Sequence, residues 1–217
     1  GIDKDVVKCF ESSLEIFKKA GYVIKDIKLP HAKHSLDAYY IISTGEASSN
    51  LARYDGIRYG YRTSNISGLK DLYENSRSEG FGTEVKRRIA LGTFVLSAGY
   101  YDAYFVKAAK VRRLIRQDFD NAFSSCSAIL LPTAPTTAFK IGEKLADPMT
   151  MYLSDVLTVP VNLAAIPAMS IPCGFDSKSL PIGMQIIGKH FDEMTLFNLA
   201  YFMQRQRPEL FNRVSVK

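Results

Sequence analysis

The chain has 217 residues, 47% hydrophobic and 23% charged, which allows a sizeable core, and it shows no internal repeat or low-complexity tract. Cys9, Cys126 and Cys173 are widely spaced and form no CxxC pair, so neither a zinc knuckle nor a disulfide framework is expected, and a reducing compartment fits. A formal charge of +6 favours acidic partners without selecting one, and the longest wholly apolar run, near residues 128–132, is far too short to cross a bilayer. The first residue is Gly1 rather than Met, no secretory signal opens the chain, and a longer parent protein is expected.

Val6, Val7, Phe10, Leu14, Ile16 and Phe17 recur at three- and four-residue spacings and predict an amphipathic helix from about Lys4 to Ala20, stopped by Gly21. YVIKDIKLP alternates apolar and polar residues, as a strand closed by Pro30 does. A helix is predicted from about Ser35 to Tyr54, followed by a loop rich in Gly, Ser and Asn at 55–70. Residues 83–97 and 100–123 form a long helical region with a break at Gly99. Short apolar runs at 127–131, 167–173 and 181–188 are strand candidates, and Asp192 is a plausible cap for a closing helix that ends near Gln206. Helices alternating with short apolar strands predict an α/β layered domain.

One stretch fits neither period. SDVLTVPVNLAAIPAMSIPCG, residues 154–174, is apolar, holds three prolines and opens on a single acid, Asp155. Helix interiors and central strands both exclude that proline density.

Several motifs suggest chemistry that their surroundings do not support. GMQIIGKH at 183–190 is one residue from a phosphate loop, but His190 stands where the magnesium-binding hydroxyl belongs and MQII reads as strand. EGFGTEV lacks the third glycine and the preceding strand of a dinucleotide site. His31 and His34 are three apart without Cys or acidic company, and read as solvated side chains. Ser48 and Ser49 lie within a helical pattern without a base, which favours a surface or packing role. Lys107, Lys110, Arg112, Arg113 and Arg116 crowd one helix; a solvated face and an RNA-binding face are the two readings.

Four stretches together carry a family resemblance. They are EASSNLARYDGIRYGYR (46–62), RSEGFGTEVKRRIALGTFVLSAGYYDAYFVKAAKVR (77–112), PTAPTTAF (132–139), and TVPVNLAAIPAMSIPCG with LPIGMQIIGKHFDE (158–193). They resemble the A subunits of the tRNA-dependent glutamyl-tRNA(Gln)/aspartyl-tRNA(Asn) amidotransferases, within the amidase signature family. The resemblance implies the C-terminal portion of a single amidase domain over 1–217, with a mixed β-sheet covered by helices on both faces. It implies a cytoplasmic enzyme that hydrolyses glutamine and passes ammonia to a B subunit, braced by a C subunit. That partner amidates Glu-tRNA or Asp-tRNA with ATP and magnesium, so no cofactor or metal is expected on this chain. The family's Ser–cis-Ser–Lys triad has its serines in a Gly/Ser-rich segment of the upstream half, which nothing in 1–217 matches, so no catalytic residue is expected here.

The resemblance does imply substrate-binding residues. Asp155 stands at the acid that takes glutamine's α-amino group, Arg88 at the arginine that takes its α-carboxylate, and Tyr39 at a tyrosine lining the pocket. An amino-acid zwitterion needs an acid and a base held apart, and guanidinium matches carboxylate with two parallel hydrogen bonds. Rival roles remain open: Asp155 as the cap of a short helix starting at Val156, Arg88 as surface charge beside Arg87, and Tyr39 or Tyr40 as core. Ala165 stands where relatives commonly have glycine. A stand-alone small-amide amidase and a non-catalytic partner- or RNA-binding module are the alternative functions.

Overall fold

The computed structural model describes residues 1–143 and 148–211. In chain order it has helices α1 (Lys4–Lys19), α2 (Ser35–Leu51), α3 (Leu69–Gly80), α4 (Thr83–Val95) and α5 (Lys107–Ala122), then strand β1 (Ile129–Pro132). Short helices α6 (Pro148–Tyr152) and α7 (Val159–Ala164) follow, then strands β2 (Ala168–Phe175) and β3 (Pro181–Ile187), and helix α8 (Glu193–Gln206). The chain forms two compact units, one of Gly1–Leu36 with Arg113–Lys217 and one of Asp37–Arg112.

The first unit is built on a sheet in the order β1-β3-β2. Both pairings are antiparallel, with Ile129 opposite Ile187 on one side of β3 and Ile171 opposite Met184 on the other. The resemblance implies a mixed sheet, but the described strands contain no parallel pair. The short β2–β3 turn explains half of this, because consecutive strands joined so tightly must run antiparallel. That turn is held by Asp176, whose carboxylate accepts from the Lys178 and Leu180 amides at 2.8 and 2.7 Å.

One face of the sheet carries the main core. Ile182, Met184 and Ile186 of β3 and Ile171 and Cys173 of β2 meet Val6 and Phe17 of α1 and Leu196, Ala200 and Met203 of α8. The spacing of α1 places Val6, Ser13 and Phe17 inward, and Asp3 caps its start by accepting from the Asp5 amide at 2.8 Å. The Phe17 and Phe202 rings lie 5.3 Å apart, joining the two helices above the sheet. On the opposite face Gln185 is 3% exposed, and its amide nitrogen donates to the Leu157 carbonyl at 2.9 Å and the Pro132 carbonyl at 3.2 Å. The apolar, proline-rich segment therefore docks on this second face.

Its three prolines occupy positions where the missing amide does no harm. Pro160 lies in the first turn of α7, Pro167 separates α7 from β2, and Pro172 stands on an edge strand where the pairing register shifts before Gly174. Ala165 ends α7 in the left-handed region, with φ 55° and ψ 44°. Glycine adopts that conformation freely, whereas alanine holds it at a local cost.

Two expectations need correction. YVIKDIKLP forms no strand; its alternation is spent on packing, with Tyr22 against the Phe17 and Phe202 rings, Ile24 on the core, and Val23 81% exposed. Asp192 stands at the N-cap of α8, but its carboxylate accepts from the Thr195 hydroxyl at 2.8 Å rather than from a backbone amide. The GMQII stretch forms β3, as its strand reading requires, and leaves no loop of amides for a phosphate.

In the second unit α2 and α4 pack through small residues, and the break at Gly99 has φ +87°. The backbone then makes a π-helical turn at Asp102–Val106 before α5. Helix α3 is not among those that the sequence predicts.

Glycine at 165 should relieve the left-handed strain. Ala165→Gly is expected to raise stability by about 1 kcal/mol, read as a higher Tm, while glycine introduced at neighbouring Ala164, inside the helix, should lower it by a similar amount.

Candidate functional site

Tyr39 projects from α2 and Arg88 from α4, and the second unit brings them together. Arg88 donates from Nε to Glu84 Oε1 at 3.1 Å, one helical turn back. Its pKa is raised above the ordinary guanidinium value chiefly by that hydrogen bond and, against partial burial, by the Tyr39 phenol beside it. The Tyr39 and Tyr40 rings meet edge to face at 5.1 Å.

This geometry separates Arg88 from its neighbour. Arg87 pairs with the other Glu84 oxygen at 3.0 Å, with 51% of its side chain exposed against 34% for Arg88. Arg88 is the one that Tyr39 also touches. A single carboxylate thus already occupies the guanidinium that the family resemblance assigns to a substrate carboxylate. An exposed i,i+4 pair contributes only about 0.3–0.5 kcal/mol, so an incoming carboxylate can displace Glu84 at little cost. The E-x-x-x-R spacing of EVKRRI carries this signal in the sequence, although the resemblance names only the arginine.

Asp155 lies in the other unit, in the short 3-10 turn Leu153–Asp155 that precedes α7. Its backbone carbonyl accepts from the Thr158 amide at 3.0 Å and the Thr158 hydroxyl at 3.1 Å. Its side chain is exposed and has no hydrogen-bond or ion-pair partner among the described residues. The capping role left open in the sequence is not what the fold uses: α7 starts at Val159 with Thr158 as its N-cap. The carboxylate therefore stands available for a cation.

Several of the other candidates make polar contacts within their own unit. His31 is not simply solvated: its amide and its Nδ1 lie 2.7 and 2.8 Å from the two oxygens of Asp118, a carboxylate 6% exposed. The pair is 87 residues apart in sequence, beyond the reach of local pattern. Ser48 donates to the Gly45 carbonyl within α2 at 3.0 Å. On α5, Arg116 pairs with Asp120 at 3.8 Å. No group of three or more His, Cys, Asp or Glu side chains among the described residues is placed to hold a metal. Two open clefts of about 470 and 440 Å³ border the sheet, one beside Cys9 and Arg207 and the other beside Thr133 and Ser170, and neither is lined by Tyr39, Arg88 or Asp155.

Asp55 organises the loop that follows α2. Its carboxylate accepts from the amides of Ile57 and Arg58, each at 2.9 Å, and from Arg58 Nε at 3.1 Å. The two amides and then the guanidinium hold its pKa down at about 2.

Two helices on one face of a short-stranded sheet, with a proline-rich apolar segment on the other, define an α/β layered fold of amidase type. The Amidase family model matches residues 1–197, and the chain belongs to that family. It is 58% identical over 205 residues to the A subunit of the glutamyl-tRNA(Gln) amidotransferase of Enterococcus faecalis, and 54% identical over 205 residues to its counterpart in Bacillus cytotoxicus. Each alignment covers 94% of this chain and 42% of the relative, so the chain spans about two-fifths of the curated relatives it matches. The crystal structure of the same subunit from Thermotoga maritima superposes with a TM-score of 0.70 at 43% identity, over 94% of this chain and 39% of that one.

Because the folded pKa of Asp55 is depressed, its contribution is present above the unfolded carboxyl pKa of about 4 and is lost as pH falls towards about 2. Thermal melts should show the native chain more stable than Asp55→Asn at pH 6. That difference should shrink between about pH 4 and about 2.

Proposed function

We propose that this chain is part of the glutamine-hydrolysing A subunit of a tRNA-dependent amidotransferase, and that it contributes recognition of the glutamine zwitterion. The observation that carries the proposal is the 58% identity over 205 residues to a protein of that name. The arrangement of Tyr39, Glu84 and Arg88 supports it, since it presents a guanidinium already oriented on a carboxylate.

On this reading Arg88 exchanges Glu84 for the glutamine α-carboxylate, Asp155 takes the α-ammonium, and Tyr39 steadies the guanidinium. The continuous family match across residues 1–197 supports treating both compact units as parts of one amidase domain. The acyl-transfer chemistry follows the logic of an activated serine. It is assigned to the family's Ser–cis-Ser–Lys triad, whose serines lie in a Gly/Ser-rich segment that residues 1–217 do not match, so this chain by itself binds glutamine without hydrolysing it. The released ammonia passes to a B subunit that holds ATP, magnesium and Glu-tRNA or Asp-tRNA, with a C subunit bracing the pair in the cytoplasm. Among the described residues no helix is long and apolar enough to cross a membrane.

The test uses the full-length protein coexpressed with B and C subunits. Arg88→Ala and Asp155→Ala should each raise the KM for glutamine by about 10- to 100-fold, the cost of leaving one end of the zwitterion unpaired. Glutaminase kinetics unchanged by both substitutions would remove these residues from the site. Hydrolysis of simple amides without any dependence on glutamine's charged groups would favour a stand-alone amidase instead.

A further inference from the structure

Helices α2 and α4 approach at Gly92 more closely than any side chain permits. A Cβ on Gly92 would lie 2.0 Å from the Thr44 carbonyl oxygen, 2.6 Å from its carbon and 2.7 Å from Ser48 Cβ. Backbone atoms cannot rotate out of the way, so a methyl group here must part the helices. Gly92 is buried in the interior of α4, where glycine costs about 1 kcal/mol relative to alanine. Its φ lies outside the left-handed region, so conformational freedom is not what glycine supplies. Contact distance is.

The site residues stand just beyond this crossing. Arg88 is one turn before Gly92 on α4, and Tyr39 lies on α2 next to Tyr40, whose carbonyl accepts at 2.6 Å from the hydroxyl of Thr44, one turn further on. The separation of the two helix axes at Gly92 and Thr44 therefore sets whether the Tyr39 phenol reaches the Arg88 guanidinium. We propose that Gly92 is a positioning residue for Arg88: by letting α4 lie against the Thr44 backbone, it fixes the distance at which Tyr39 steadies the guanidinium for the substrate carboxylate. This rests on the glutamine-site reading above. Without the Tyr39 contact, Arg88 keeps Glu84, a partner on its own helix that cannot hold it towards α2.

The experiment measures glutaminase kinetics of the full-length protein, assembled with its partner subunits, as the native form, Gly92→Ala, Ser48→Val and Arg88→Ala. Two substrates are compared, glutamine and its α-amide, which lacks the carboxylate. Gly92→Ala should raise KM for glutamine by roughly tenfold and leave kcat within about twofold, a loss of ground-state positioning rather than of chemistry. For the α-amide the same substitution should change KM by less than about twofold, because the contact it disturbs is already missing. Ser48→Val, a milder wedge at the same crossing, should move KM in the same direction and decides the matter if Gly92→Ala does not fold. An equal KM penalty for both substrates, or an unchanged KM in a folded variant, overturns the positioning role. An Arg88→Ala enzyme with native KM overturns the site reading itself, whereas a raised KM in Arg88→Ala beside a native KM in the wedge variants overturns only this inference.

Discussion

Burial of β3 on both faces is the constraint from which the sheet unit follows. Ile182, Met184 and Ile186 point to α1 and α8, while Gln185 and Ile187 are equally enclosed on the other side. A strand so placed must have a neighbour on each edge and a cover on each face. β1 and β2 supply the edges, two amphipathic helices supply one cover, and the proline-rich segment supplies the other. The polar intruder, Gln185, is tolerated because its amide is satisfied by carbonyls of both Pro132 and Leu157. The bond to Leu157 ties the strand to the segment that carries Asp155, two residues upstream.

The helical unit depends on closeness of another kind. Glycine at 92 lets two helices meet backbone to backbone, and Gly45 on α2 is similarly filled by the Phe105 ring, at 2.9 Å from where a Cβ would stand. Small residues at a crossing convert helix packing into a fixed distance between the side chains one turn away. A guanidinium needs such support, because its long side chain otherwise samples many rotamers. On the proposed glutamine site, the link from packing to function runs through Thr44 and Gly92 to Tyr39 and Arg88.

Much of this was legible in the sequence, and the exceptions have physical causes. α1, α2, α4 and α8 announce themselves by spacing and by their stops, and the hairpin strands by short apolar runs. α3 stayed hidden because LKDLYENSRSEG is mostly polar and buries only Leu72 and Ser76. The alternation in YVIKDIKLP is genuine, but period two reports which side chains turn inward and says nothing of a ladder partner. Asp118 could not be assigned to His31 because that pairing is made by tertiary folding alone. At the site, residue types and family resemblance name Tyr39, Arg88 and Asp155. The structure adds that Glu84 already pairs with both Arg87 and Arg88, and that Arg88 is the less exposed of the two.

The most direct test of glutamine recognition is a crystal structure of the full-length protein with glutamine bound. The account predicts the α-carboxylate on Arg88 with Glu84 displaced, the α-ammonium on Asp155, and the Tyr39 phenol still against the guanidinium. Glutamine seated elsewhere while Arg88 remains paired with Glu84 would contradict it.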